Sequence, residues 1–298
     1  MSQIFVGGAA RSGTTVFATR LGGYLASSVL PEAYFLGPTL LSVATGAPFA
    51  GFDPAWRLRT WELSDADFNS VQAAPDVVEA WSRALRAKGV DPLGSWIEHS
   101  PHNMRYCATL LRAFPDAHFV HLVRDGRAVG ASLRRTDFGP HVSTAVARWW
   151  IESVAMGLAA ERLFPDRVRL VRFEDFLADS EGVVGGLADA FGLDTSSHTV
   201  ANPVSPVGSY TRRHHSLVDG EIRPERGSGW QSEVSDAWVR RFERVAGPML
   251  DAFGYELVHP PQESPGQVSR VVDPMIDGVV QLGVKAPRRR LRRWRHAR

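Results

Sequence analysis

An apolar strand running into glycines, then into an amphipathic segment, is the feature that most constrains this chain. It occupies residues 4–25, IFVGGAARSGTTVFATRLGGYL. Ile4–Val6 predicts a buried strand, and Thr14–Leu25 predicts a helix with Val16, Phe17, Leu21 and Leu25 on or near one face. Between them Gly8 and Gly13 have the spacing of the phosphate-binding GxxxxGK[ST] loop, with Thr14 in place of the lysine and Arg11 as a cation two residues before Gly13. Glycines let the backbone curl so that successive N–H groups face one anion, and the helix that follows adds its free N–H groups and the positive end of its dipole. Thr14 and Thr15 add hydroxyl donors. The ammonium that reaches the β- and γ-phosphates of a nucleoside triphosphate is missing, so the cradle suits a nucleotide with a shorter anionic arm met by a guanidinium. The plainer alternative is an ordinary glycine-rich turn.

The rest of the chain continues the alternation. Strands are predicted at 27–30, 96–98, 118–123 and 168–173, and helices at 104–114, 126–134, 142–164, 182–191 and 237–253. Residues 36–95 read as mostly helical, with Ser64 as an N-cap and Val77, Val78, Trp81 and Leu85 as one stripe. Alternating strands and helices predict an α/β fold, a phosphate-loop-containing parallel sheet flanked by helices, which binds ligands beyond the carboxyl ends of its strands. Residues 1–258 form the expected domain, with 36–95 as a helical insertion. Residues 196–231 read as a long loop, 259–270 as a linker, and 259–298 as linker plus basic tail.

Totals narrow the class. The chain has 298 residues, within reach of one large α/β domain. Its one cysteine, Cys107, excludes an intrachain disulfide framework and a multi-cysteine metal centre. No spacing of His, Asp or Glu points to a metal. No apolar run approaches the ~20 residues of a membrane span, and the amino terminus lacks a secretory pattern, so a cytosolic enzyme is expected. The net charge is +2, but 285–298 (KAPRRRLRRWRHAR) carries eight positive charges and no acid; subtracting them leaves the rest at −6. That tail suits anionic lipid, nucleic acid or another polyanion, though a solvated tail is the simpler reading and no specific nucleic acid is expected. The apolar 271–284 ahead of it suits docking, with a membrane as one such surface.

A second stretch, HFVHLVRDGRAVGASLRR at 118–135, places Arg124 at the end of a strand and Ser132 eight residues on, in the next helix. Such a pair can meet one phosphate at the sheet edge, because the guanidinium fork donates two parallel hydrogen bonds. The alternative is a surface ion pair between Arg124 and Asp125, with Ser132 facing solvent.

With both stretches in view, the sequence resembles the sulfotransferases that use 3′-phosphoadenosine 5′-phosphosulfate (PAPS), over most of residues 1–258. ARSGTT at 10–15 matches the arginine variant of their 5′-phosphosulfate loop, common in tyrosylprotein and many bacterial sulfotransferases. The resemblance implies Arg11, Ser12, Gly13, Thr14 and Thr15 as phosphosulfate ligands and Arg124 and Ser132 as ligands of the 3′-phosphate. It also implies Arg226 and Gly227, in RPERGSGW at 223–230, as a closing basic loop. Glu32, at the end of the short second strand and 21 residues after Arg11, matches the glutamate that serves as general base in the tyrosylprotein branch. A capping or surface glutamate is the alternative. His99, in WIEHSPHN, stands where many relatives carry a lysine that offsets charge on the bridging oxygen. Protonated, it could do that work; neutral, it could act as the base, or it could be a satisfied polar residue near the core.

The implied activity is transfer of a sulfuryl group from PAPS to a hydroxyl of a small-molecule or lipid-linked acceptor, without a metal. Trp56, Trp61 and Trp81 hint at an aromatic or sugar acceptor, and core packing explains them equally. Two rivals remain: a small-molecule kinase with a variant loop, and a non-catalytic nucleotide- or polyanion-binding protein.

Overall fold

In a computed structural model, residues 2–193 and 229–259 are described. The predicted loop at 196–231, except 229–231, lies outside them. So do Arg226, Gly227 and the linker and tail beyond His259.

The elements follow in order: β1 (Gln3–Gly8), α1 (Thr14–Tyr24), β2 (Ser28–Val29), α2 (Leu36–Ala44), α3 (Ala55–Arg59), α4 (Asp65–Gln72), α5 (Val77–Ala87), β3 (Trp96–Glu98), a 3₁₀ segment (Pro101–Tyr106), α6 (Cys107–Ala113), β4 (His118–Val123), α7 (Gly126–Leu133), α8 (Ser143–Leu163), β5 (Val168–Arg172), α9 (Phe173–Ala178), α10 (Ser180–Phe191), a second 3₁₀ segment (Gly229–Ser232) and α11 (Asp236–Ala252).

The five strands form one sheet in the order β2-β3-β1-β4-β5. Every pairing is parallel, with Phe5 opposite Glu98 on one side and Phe119 on the other. Alternation along β1 explains the layering. Phe5 packs with Trp96, Phe119, Trp81 and Leu85 on one face, while Ile4 and Val6 pack with Phe17, Leu21 and Phe176 on the other. A third cluster joins α7, α8 and α11 through Val129, Trp150, Trp238 and Phe242. A sheet covered on both faces leaves the carboxyl ends of its strands as the open edge for a ligand.

Three expectations need adjustment. β2 has two residues, because Pro31 ends the pairing that Ser28 and Val29 begin. The segment at 104–114 starts as a 3₁₀ turn at Pro101 and becomes α-helical only at Cys107. Phe173 is the first residue of helix α9 and lies outside the strand predicted through it. Ser64 does cap α4, accepting from the Asp67 N–H at 3.1 Å. Trp61 and Trp81 are core residues, edge to face at 5.4 Å, so packing accounts for both.

Candidate active site

Geometry at the glycine turn follows from close approaches. Gly8 has φ 157°, and a Cβ there would lie 2.2 Å from the Leu122 carbonyl of the neighbouring strand. Gly13 has φ 93°, and a Cβ would lie 2.3 Å from the Phe173 ring. Neither position admits another residue without displacing its neighbour. Arg11, with φ 77°, takes a left-handed conformation that costs a non-glycine residue roughly 1–2 kcal/mol. Such strain concentrates at ligand sites. α1 begins at Thr14 with no side chain capping it, so its first N–H groups face the turn. Ser12, Thr14 and Thr15 are all buried. The Ser12 hydroxyl has no hydrogen-bond partner among the described residues. A buried orphan hydroxyl in a curled turn at a helix start fits a phosphate-like anion.

The two motifs meet. Arg11 Nε donates to Ser132 Oγ at 3.1 Å, and Arg124 Nη1 donates to the Arg11 carbonyl at 3.1 Å. The Arg124 guanidinium also lies 5.0 Å from the Phe173 ring centre, so one ring touches both the turn and the strand-end arginine. Burial lowers the proton affinity of Arg124, and the nearby Glu174 carboxylate opposes that shift. Glu174 also accepts from the Asp125 N–H at 3.0 Å and from the Tyr255 hydroxyl at 2.8 Å, which fixes the turn after β4.

The surface ion pair between Arg124 and Asp125 does not form. Asp125 takes a bidentate grip on Arg127 instead, with contacts of 2.8–3.2 Å, and Ser132 is buried against Arg11.

Close enough to Arg11 to interact with its charge lies the second candidate group. Glu32 is half-buried, and its carboxyl is pushed up to about 7. Burial is the main cause and the Glu98 charge adds to it, while Arg57, Arg11 and a hydrogen bond from Tyr34 pull the other way. The Arg57 guanidinium sits 4.6 Å from the Tyr34 ring centre and 4.3 Å from that of Trp56. Trp61 Nε1 donates to the Glu32 carbonyl at 3.3 Å, so a core tryptophan fixes the main chain here. His99 is fully buried at the end of β3, with Nδ1 3.5 Å from Thr15 Oγ1. The turn, Arg124, Ser132, Glu32 and His99 therefore share one edge of the sheet. Arg226 and Gly227 lie outside the described residues.

Several residues at this edge escaped the sequence reading. Tyr34 and Arg57 fall in a stretch with no recognisable spacing. Phe173 and Glu174 lie just past β5, whose apolar alternation in the sequence runs on through Phe173. Glu98 looks like the last residue of a buried strand; its only signal is a carboxylate in an otherwise apolar run, WIE.

The fold has known counterparts. The sulfotransferase domain from the curacin biosynthetic pathway superposes with a TM-score of 0.57 at 14% identity, covering 86% of this chain and 98% of that one. The sulfotransferase domain from the Synechococcus PCC 7002 olefin synthase superposes with a TM-score of 0.58 at 21% identity, covering 86% and 95%. A protein of Aquifex aeolicus (strain VF5), described as uncharacterized, is 22% identical over 271 residues, which is 87% of this chain and 33% of the relative. The chain thus spans about a third of that relative's length. The profile of the sulfotransferase family matches residues 3–197, which include the glycine turn, Glu32, Arg124 and Ser132, and the chain belongs to that family.

Proposed function

We propose that this protein transfers the sulfuryl group of PAPS to a hydroxyl of an acceptor, with Glu32 as general base. The observation that carries this reading is the 3.1 Å bond between Arg11 and Ser132, which draws two motifs 121 residues apart onto one site. Bound PAPS supplies an activated sulfuryl group and leaves as adenosine 3′,5′-bisphosphate.

The glycine turn, with Ser12, Thr14 and Thr15, is the proposed cradle for the 5′ end of the nucleotide. The orphan Ser12 hydroxyl supports it. Arg124 and Ser132 take the 3′-phosphate, with Arg11 between the two ends. Arg226 and Gly227 complete the closing loop by resemblance alone. Positive side chains offset charge that develops on the departing phosphate oxygen. Glu32 accepts the acceptor's proton as its oxygen joins sulfur. A carboxyl held near 7 suits a base working around neutral pH. His99, against Thr15, is placed to steady charge at the cradle. A small-molecule or lipid-linked hydroxyl remains the expected acceptor, and the Arg57–Tyr34–Trp56 stack beside Glu32 is the surface it would meet first.

A panel of phenols, sugars and lipid-linked alcohols, incubated with the protein and labelled PAPS, tests the reading through label transfer. With any accepted substrate, Glu32→Ala lowers kcat by roughly 10²–10⁴-fold. Normal turnover in Glu32→Ala would overturn this mechanism.

A further inference from the structure

Glu98 is 1% exposed, at the carboxyl end of β3, and both of its oxygens are occupied by donors. Oε1 accepts from the Ala33 N–H at 2.7 Å, the Ser100 N–H at 2.9 Å and the Ser100 hydroxyl at 2.5 Å. Oε2 accepts from Asn103 Nδ2 at 2.6 Å, and the same amide donates to the Val6 carbonyl of β1 at 3.0 Å. The anion satisfies all four donors as they stand; a proton would have to take the second lone pair of Oε2 or turn the Ser100 hydroxyl round. The one partner outside β3 and the turn that follows it, apart from β1 through Asn103, is Ala33, the residue next to Glu32.

We propose that Glu98 is a positioning residue for sulfuryl transfer: its buried carboxylate pins the main chain at Ala33, so that Glu32 is presented to the site, and holds a fixed negative charge behind it. The proposal rests on the reading of Glu32 as the base. The groups that face Glu32 are Arg57 from α3, Arg11 from the glycine turn, Tyr34 on its own segment and Glu98 from β3. Glu98 is the one of these whose charge opposes ionisation of Glu32; Arg57, Arg11 and the Tyr34 hydrogen bond favour it. Burial holds the Glu98 carboxyl above the ordinary carboxylate range, and its bonds to Ser100, Ala33 and Asn103 offset only part of that shift.

The test is a carboxyl-carbon NMR titration of the full chain, which needs neither donor nor acceptor. The Glu32 signal is assigned by its loss in Glu32→Gln, and the Glu98 signal by its contact with the Ala33 amide. In the wild type, Glu98 stays ionised throughout the titration of Glu32. In Glu98→Gln, the Glu32 midpoint falls by about half a unit to one unit, and the Ala33 amide exchanges faster. An unmoved Glu32 midpoint in a folded Glu98→Gln protein would overturn the proposal. If that variant does not fold, the wild-type titration decides alone, and a neutral Glu98 at pH 7 would overturn it. The base assignment is read separately: normal label transfer by Glu32→Ala removes the base while leaving the coupling between the two carboxyls measurable.

Discussion

Position 13 shows how one missing Cβ joins two parts of the chain. Gly13 lets the turn curl at φ 93° and lets the Phe173 ring close over it. Gly13→Ala forces the ring or the turn to move and loses the left-handed preference. The expected result is at least a tenfold loss of nucleotide affinity by calorimetry, with about 1–3 kcal/mol lost from folding stability. Glu32 gives a prediction of the opposite sign. Its carboxyl is raised to about 7 in the fold, so the native state holds a proton that the unfolded chain has released. Its cost to stability is absent below the ordinary carboxyl range and grows as pH rises through about 7. Glu32→Gln is therefore expected to stabilise the protein by roughly 1–3 kcal/mol at pH 8 and hardly at all near pH 4, measured by denaturant melts. The same substitution abolishes the proposed base, which would make Glu32 a site where activity is held at the expense of stability.

Among the elements, α7 is the one whose packing matters most to the site, because it carries Ser132. Its second residue, Arg127, is buried and held by Asp125 on one side and by Glu243 of α11 at 2.5 Å on the other. Glu243 in turn accepts from the Val258 and His259 N–H groups at 3.0 and 2.9 Å, so the chain after α11 is tied to the same arginine. Trp230 stacks on the Arg127 guanidinium at 4.5 Å. Removing the arginine would strand two buried carboxylates. Arg127→Ala is expected to cost about 3–5 kcal/mol in a denaturant melt, and adding Glu243→Met, which removes one of the two stranded charges, recovers part of it. This clamp was not legible beforehand. Arg127 reads as a polar residue early in a helix, and Glu243 lies 116 residues away on a helix whose apolar stripe says nothing of its one buried acid. Elements with a strong period were legible: β4, α8 and α11 fall within a residue or so of their predicted ends. α9 was hidden because VRLVRF continues its apolar alternation through Phe173, the residue at which the helix begins.

For the whole molecule, the parallel sheet followed from alternation alone, and the two candidate phosphate-binding stretches from local spacing. The acceptor side was far less legible. Glu98 is brought near Glu32 by the pairing of β2 with β3, and Arg57 by helix α3 packing back towards it, tertiary facts with no trace in any short window. No helix among the described residues is long and apolar enough to cross a membrane.

The central claim is that the Gly8–Thr15 turn and the Arg124–Ser132 pair form one site for a nucleotide phosphorylated at both ends. Titration calorimetry with adenosine 3′,5′-bisphosphate, ATP and AMP tests it most directly. The account predicts that the bisphosphate binds at least tenfold more tightly than AMP or ATP, and that Arg124→Ala erases this preference by weakening the bisphosphate alone. Equal affinity for all three, or a preference that survives Arg124→Ala, would contradict it.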